Sequence, residues 1–385
     1  MKKNEKKQIL QIFFRSCEKK VYVFDIIYKK RYINGNQLNQ SFINNMKPQN
    51  KTKITDVAIA AGVSVATVAN ALNGTGRVSD AVAKKVRMLA DEMHYIPNRV
   101  ARQLKMAIPD SIGILINSSV EISWYSQLIS CFDDILTENN YSMVLSISRG
   151  EFERIKKGII SFQGGRVGGI ILGPLFSMEM YKSIQKILPT DIPVVFFNSM
   201  DGMECDHISI DLASGAEKVV DYLYSRNCRN IMYFNCPISA VNQGEHANTR
   251  YAGFLNGLRK NGLAEKNAVI VTNEVFNWQK SIKNLLKKES LPDAIFCHND
   301  AVAIEVMNYF HSQNIRIPED VSIVGFDDIR EARVAYPPLT TVGGVQQPLV
   351  KALWEALEER IKTGNREKRI NRLIEPELII RNSVK

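Results

Sequence analysis

The sequence predicts a small all-α head, built on a helix-turn-helix, followed by an α/β core of two parallel-sheet lobes. Three observations predict it. Positive charge is confined to the front of the chain: the balance is +7 over residues 1–45, +6 over 46–107 and −3 over the rest. From Ile54 the chain carries short helical patterns separated by clear stop signals. From Ser111 onward, short continuous apolar runs alternate with amphipathic helices, the grammar of parallel strands covered on both faces.

The four segments of the head follow from its punctuation. Ile54–Ala61 places Val57, Ala58 and Ala61 at helical spacing, and Gly62 is suited to end it in the left-handed conformation. Ser64 can cap a second helix, Val65–Leu72, which Asn73-Gly74 stops. Ser79 can cap a third, Asp80–Met93, with Val82, Val86, Leu89 and Met93 on one face. Pro97-Asn98 separates it from a short basic segment, Arg99–Lys105, and Pro109 closes the head. Residues 1–45 show no sustained period, and Pro48-Gln49-Asn50-Lys51 reads as a break. Residues 1–45 are therefore expected to be a non-native or disordered extension.

The core strands are expected at Ile112–Ile116, Ser142–Ser146, Gly169–Leu172, Pro193–Phe197, Asn230–Phe234, Ala268–Val271, Ala294–Phe296 and Val321–Val324. About 275 residues of this pattern exceed one compact unit, which is why two lobes are expected.

Composition narrows the function. The chain has 385 residues, 45% hydrophobic and 23% charged, ordinary globular usage. No run of 18 apolar residues suggests a membrane span. Ile9–Phe14 is too short for a signal peptide, and Arg15 and Lys19-Lys20 follow where small residues should stand. The six cysteines are scattered singly, without a C-x-x-C pair; free thiols in a reducing cytoplasm are expected. A basic head on a slightly acidic body points to a polyanionic partner, with a merely solvated charged surface as the rival.

No enzyme motif survives inspection. Gly74–Ser79 lacks a preceding strand, and Gly164–Gly169 precedes a strand instead of following one, so neither is a phosphate loop. There is no Walker A sequence, no H-E-x-x-H and no G-x-S-x-G elbow. Neither a metal nor a cofactor is expected.

Beyond the Ala61-Gly62-Val63-Ser64 turn, a longer series of motifs carries a family resemblance. Thr55-Asp56-Val57-Ala58, Ala66-Thr67-Val68, Ala71-Leu72-Asn73, Arg77-Val78-Ser79, Tyr95-Ile96-Pro97-Asn98 and Val100–Leu104 stand in one order. Arg250–Phe254, Asn299-Asp300, Asp320–Asp328 and Pro337–Thr341 continue it. Over about residues 52–382 the chain resembles the lactose-repressor/galactose-repressor family of bacterial transcription regulators.

That resemblance implies a periplasmic-binding-protein-like core with a small effector, a sugar or sugar derivative, held between the lobes. It places the head at 46–97, a hinge helix and linker at 98–107, and the effector-binding and dimerisation core at 108–385. The N-terminal lobe would be 108–210 with 317–346, and the C-terminal lobe 211–316 with 347–385. A homodimer on a pseudo-palindromic operator follows.

The resemblance implies DNA contacts from Thr55, Ser64, Val65, Ala66, Thr67, Asn70, Asn73, Arg77, Asn98, Arg99, Arg102 and Leu104. Leu104 matches the family's minor-groove wedge. The recognition helix departs from the usual Ser-Arg with Ala69-Asn70. Asn70 can pair with adenine N6 and N7 where arginine selects guanine, or it touches backbone only. Val65 and Ala66 can meet only a thymine methyl through their side chains, and Thr67 a phosphate. The effector positions fall on Trp124, Tyr125, Asn198, His246, Arg250, Asn277 and Asp300. Core packing for the two aromatics, and an interlobe ion pair for Arg250 and Asp300, are the rival readings. The chain thus reads as a non-enzymatic, effector-controlled repressor; the alternative is a sugar-binding module that does not act on DNA.

Overall fold

The computed structural model describes residues 52–95, 109–198, 202–235, 245–264, 269–271, 291–365 and 367–385. Residues 52–95 belong to one compact unit and those from 109 onward to another.

The head consists of α1 (Ile54–Ala61), α2 (Val65–Asn73) and α3 (Asp80–Glu92). Its ends are made locally. The Lys53 N–H donates to Asp56 Oδ2 at 2.7 Å at the start of α1, and Gly62 ends that helix with φ +71°. Ser64 caps α2, its Oγ accepting from the Thr67 N–H at 3.0 Å. Ser79 stands at the start of α3 with extended backbone, but its side chain makes no capping bond. Val57, Val68 and Val86 are fully buried among Ala58, Ala61, Ala71 and Ala90. Each such valine stabilises the head by roughly 1.5–3 kcal/mol. The Thr52 hydroxyl closes the unit by donating to Met93 O at 2.8 Å.

The core opens with β1 (Ser111–Ile116), α4 (Ser123–Glu138), β2 (Ser142–Ile147), α5 (Phe152–Gly164) and β3 (Gly169–Gly173). α6 (Met178–Gln185), β4 (Val194–Phe197) and β5 (His207–Ile210) complete the first passage. The chain then forms α7 (Leu212–Ser225), β6 (Ile231–Asn235), α8 (Glu245–Lys260), β7 (Val269–Val271), β8 (Ala294–Cys297) and α9 (Asp300–Ser312). Last come β9 (Ser322–Val324), α10 (Arg330–Val334), β10 (Thr341–Gly343), α11 (Gln346–Thr363), β11 (Asn371–Ile374) and β12 (Glu377–Ile379).

Two parallel sheets result, ordered β11-β5-β4-β3-β1-β2 and β7-β6-β8-β9, with β10 and β12 forming a small antiparallel pair. In the first sheet, β1 and β3 are buried along their whole length. β2 reads as a buried strand from its apolar run, but it is the edge strand and leaves Val144 and Leu145 partly exposed.

The pairing corrects the expected lobe tails. β9, within 317–346, pairs with β8 in the second sheet. Helix α11, within 347–385, packs on β3, β4 and β5 of the first sheet, and β11 extends that sheet beside β5. The first lobe is thus 109–210 with 346–374, and the second 211–343 with the chain end. A helix's apolar stripe goes where an uncovered sheet face exists, and sequence order does not decide that. Arg360 on α11 pins this arrangement: it is 5% exposed and donates from Nε and Nη2 to both oxygens of Asp206 just before β5, at 2.7 and 2.9 Å.

The chain passes between lobes after Ile210, after Gly343 and after Ile374. Ile210, Leu212, Val342 and Val345, which flank two of these passages, form an apolar cleft floor.

Candidate functional sites: a DNA-reading helix and an interlobe cleft

In the head, the helix-turn-helix is α1, the Gly62–Ser64 turn and α2. Val68 and Ala71 point into the head core, while Val65 and Ala66 at the helix start are exposed. Thr55, Ser64 and Arg77 are also exposed, and Thr67 and Asn70 are half-buried. The N-terminal end of α2 therefore offers small side chains to solvent, the end that enters the major groove in this motif. Two details constrain the roles. The Thr67 hydroxyl already shares a hydrogen bond with Ser64 Oγ at 2.9 Å. The Asn70 amide lies against Gly76, where a Cβ would sit 2.8 Å from its Nδ2; Gly76 itself has φ +75°. Asn73 ends α2. Asn98, Arg99, Arg102 and Leu104 lie outside the described residues.

In the core, both sheets direct the C-terminal ends of their strands at one cleft, where open α/β sheets hold ligands. It encloses about 780 Å3, its open mouth included. The first lobe supplies Ile122, Trp124 and Tyr125 at the start of α4, Phe176 after β3 and Asn198 after β4. Trp124 and Tyr125 meet edge to face at 4.9 Å, and Asn198 adopts φ +61°. The second lobe supplies Arg250 from α8, His298 and Asn299 after β8, and Phe326 and Asp327 after β9.

The polar centre of the second wall is a network around Arg250. Its Nη2 donates to Asp327 Oδ1 at 2.9 Å and its Nη1 to the His298 carbonyl oxygen at 3.0 Å. The guanidinium carbon stands 4.2 Å over the Phe326 ring, a cation–π contact. Arg250 Nε is buried and makes no hydrogen bond among the described residues. Burial pushes the Asp327 carboxyl up to about 6, against the opposing pull of Arg250. Asp327 has φ +112°, a strained backbone of the kind that clusters at ligand sites. Burial also pushes the Tyr125 phenol up to about 12, with a hydrogen bond to Ser118 opposing it.

Of the effector residues expected from sequence, the structure brings Trp124, Tyr125, Asn198 and Arg250 together on the cleft wall. Asp300 is not on it. It is fully buried behind Gly325 and accepts from the Ile329 N–H at 2.9 Å and from the Thr341 hydroxyl. Burial, followed by the nearby Asp327 charge, holds its carboxyl well above the usual range. The ion pair of Arg250 is with Asp327, not Asp300. His246 lies in α8 but its side chain, like Asn277 as a whole, falls outside the described residues. Sequence reasoning missed Asp327, Phe326, His298, Asn299 and Phe176. A usable signal existed for four of them: they stand directly after the predicted strands Ala294–Phe296 and Val321–Val324.

Comparison with known proteins agrees with this architecture. Residues 53–98 match the model of bacterial regulatory proteins, lacI family, and residues 220–384 that of a periplasmic binding protein-like domain. The chain is 30% identical over 337 residues to the HTH-type transcriptional repressor PurR of Vibrio atlanticus (strain LGP32), covering 86% of this chain and 98% of that protein. It is 29% identical to the ribose operon repressor of Escherichia coli (strain K12), over 80% of this chain and 92% of that one. Among solved structures, the lac repressor dimer bound to operator and the anti-inducer ONPF is similar at 26% identity and a TM-score of 0.73. That match covers 87% of this chain and 99% of the other. With a reading head, a ligand cleft and a relative matched along nearly its whole length, the chain belongs to the lacI family of bacterial regulatory proteins and is a DNA-binding transcription regulator with an effector-binding core.

Proposed function

We propose that this chain is a repressor that binds a pseudo-palindromic operator as a homodimer and is controlled by an uncharged sugar or sugar derivative bound in the interlobe cleft. The observation that supports the effector reading is the cleft itself. Aromatic faces from one lobe oppose an Arg250–Asp327 pair from the other, which suits a ring with apolar faces and hydroxyl edges. Arg250 is compensated by Asp327, so among the described lining residues no cation is left over for an anionic group. A related structure from Alkaliphilus metalliredigens QYMF, at 28% identity and a TM-score of 0.59, is complexed with D-xylulofuranose. A molecule touching both walls favours one lobe arrangement over another, and its coupling to DNA affinity is reciprocal, about 1–3 kcal/mol. Asn98, Arg99, Arg102 and Leu104 would carry that coupling to the operator as a hinge. Val65 and Ala66 would read thymine methyls and Asn70 adenine.

The test is fluorescence-anisotropy binding of the full chain to its own upstream DNA at several salt concentrations, with and without a panel of pentoses and hexoses. Salt-sensitive DNA binding that a sugar shifts at least fivefold supports the reading. Sugar binding without any specific DNA binding would support a binding module instead.

A further inference from the structure

Behind the cleft wall, Tyr233 on β6 is fully buried and its hydroxyl oxygen lies 3.0 Å from His298 Nδ1. The other ring nitrogen, His298 Nε2, faces Arg250 Nη1 at 3.4 Å, and the His298 carbonyl oxygen accepts from the same Nη1 at 3.0 Å. A guanidinium has only donors. The nitrogen facing it must therefore be the acceptor, which puts the ring proton on Nδ1 and makes the Tyr233 oxygen its acceptor. We infer that Tyr233 and His298 are positioning residues: the Tyr233 hydroxyl oxygen accepts from the Nδ1–H of neutral His298 and anchors the ring, and that ring with its own carbonyl holds the Arg250 guanidinium against Asp327 and over Phe326. The inference rests on the reading of this cleft as the effector site, because Arg250 is the group being presented. It explains how a long arginine side chain is fixed before any molecule arrives, so that less conformational entropy is lost on binding.

Tyr233 also packs within 5.7 Å of the Tyr251, Phe254 and Phe296 rings, centroid to centroid. Its replacement by phenylalanine keeps that packing and removes only the hydroxyl. The experiment is nitrogen NMR of the full chain without effector, reading the His298 tautomer, together with carboxyl-carbon NMR of the pH at which Asp327 titrates. Wild type is expected to show the Nδ1–H tautomer. Tyr233→Phe should keep that tautomer, which Arg250 still requires, but both Tyr233→Phe and His298→Leu should raise the Asp327 midpoint by about half a pH unit or more, since a loosened Arg250 favours the carboxylate less. An Nε2–H tautomer in wild type overturns the inference, as does an unchanged Asp327 midpoint in both variants. Because no effector is present, these results stand or fall separately from the sugar response of DNA binding.

Discussion

The reading helix and the cleft are both binding surfaces, but they are built in opposite ways. The head's surface comes from one stretch, Thr55 to Arg77, and the exposed side chains at the start of α2, Val65 and Ala66, are small and free of tertiary duty. The cleft's polar centre joins residues 77 apart, Arg250 and Asp327, with His298 and Tyr233 behind them. Apart from the helix cap Ser64, a change on the reading face alters what is recognised and leaves the fold alone. In the cleft, by contrast, the Arg250, Asp327, His298 and Tyr233 side chains form one linked network, so recognition and stability change together.

The sharpest way to break this contrast is Arg250→Ala. It strands a buried carboxylate and should cost about 3–5 kcal/mol in urea unfolding, while abolishing the sugar response and leaving basal operator affinity within about twofold. A variant of wild-type stability would show that the cleft is no more interlocked than the head. Next in size, Asp300→Ala should cost roughly 1–3 kcal/mol by orphaning the Ile329 N–H. Asp300→Asn can still accept that bond, and it should retain both stability and sugar response. Loss of the response in Asp300→Asn, with stability intact, would restore Asp300 to the binding site.

On the head, Asn70→Arg should change the selected base from adenine to guanine at one half-site position, a discrimination of about 1–3 kcal/mol, with no loss of stability. Selection from random DNA checks it; an unchanged preference means that Asn70 supports the Gly76 turn and does not read bases.

pH separates binding from folding in the cleft. The Asp327 midpoint of about 6 lies above its ordinary 3.8, so the folded chain holds a proton that the unfolded chain releases. Its contribution to stability is full below pH ~3.8 and is lost as the pH rises through about 6. A sugar hydroxyl donating to the carboxylate needs the deprotonated form, so affinity runs the other way: about tenfold weaker at pH 5 than at pH 7.5. Calorimetric titration at the two values checks this, and a flat profile would remove Asp327 from the contact. The smallest effect is Ser64→Ala. Losing the α2 cap should cost about 1 kcal/mol, seen as faster amide exchange in α2 and not in the core.

Sequence alone determined what is local and periodic. Gly62, Ser64 and Gly74 end and begin helices through backbone conformation and bonds within four residues, so the head was legible almost residue by residue. The exception is Ser79, whose backbone is right and whose side chain makes no cap. The apolar runs identified most strands of both sheets, because a strand buried on two faces must be apolar along its length. β5, β10, β11 and β12 were invisible for the same reason in reverse. They are three or four residues long, and β11 is an edge strand with its first three residues exposed, so pairing with a distant strand decides them and not their own composition. The tertiary structure alone decided the lobe to which α11 belongs, and which carboxylate meets Arg250. Asp300 and Asp327 both follow core strands of the second lobe. Only the packing of Gly325 on Asp300 and the positive φ of Asp327 turn the first inward, to Thr341 and Ile329, and leave the second on the cleft wall.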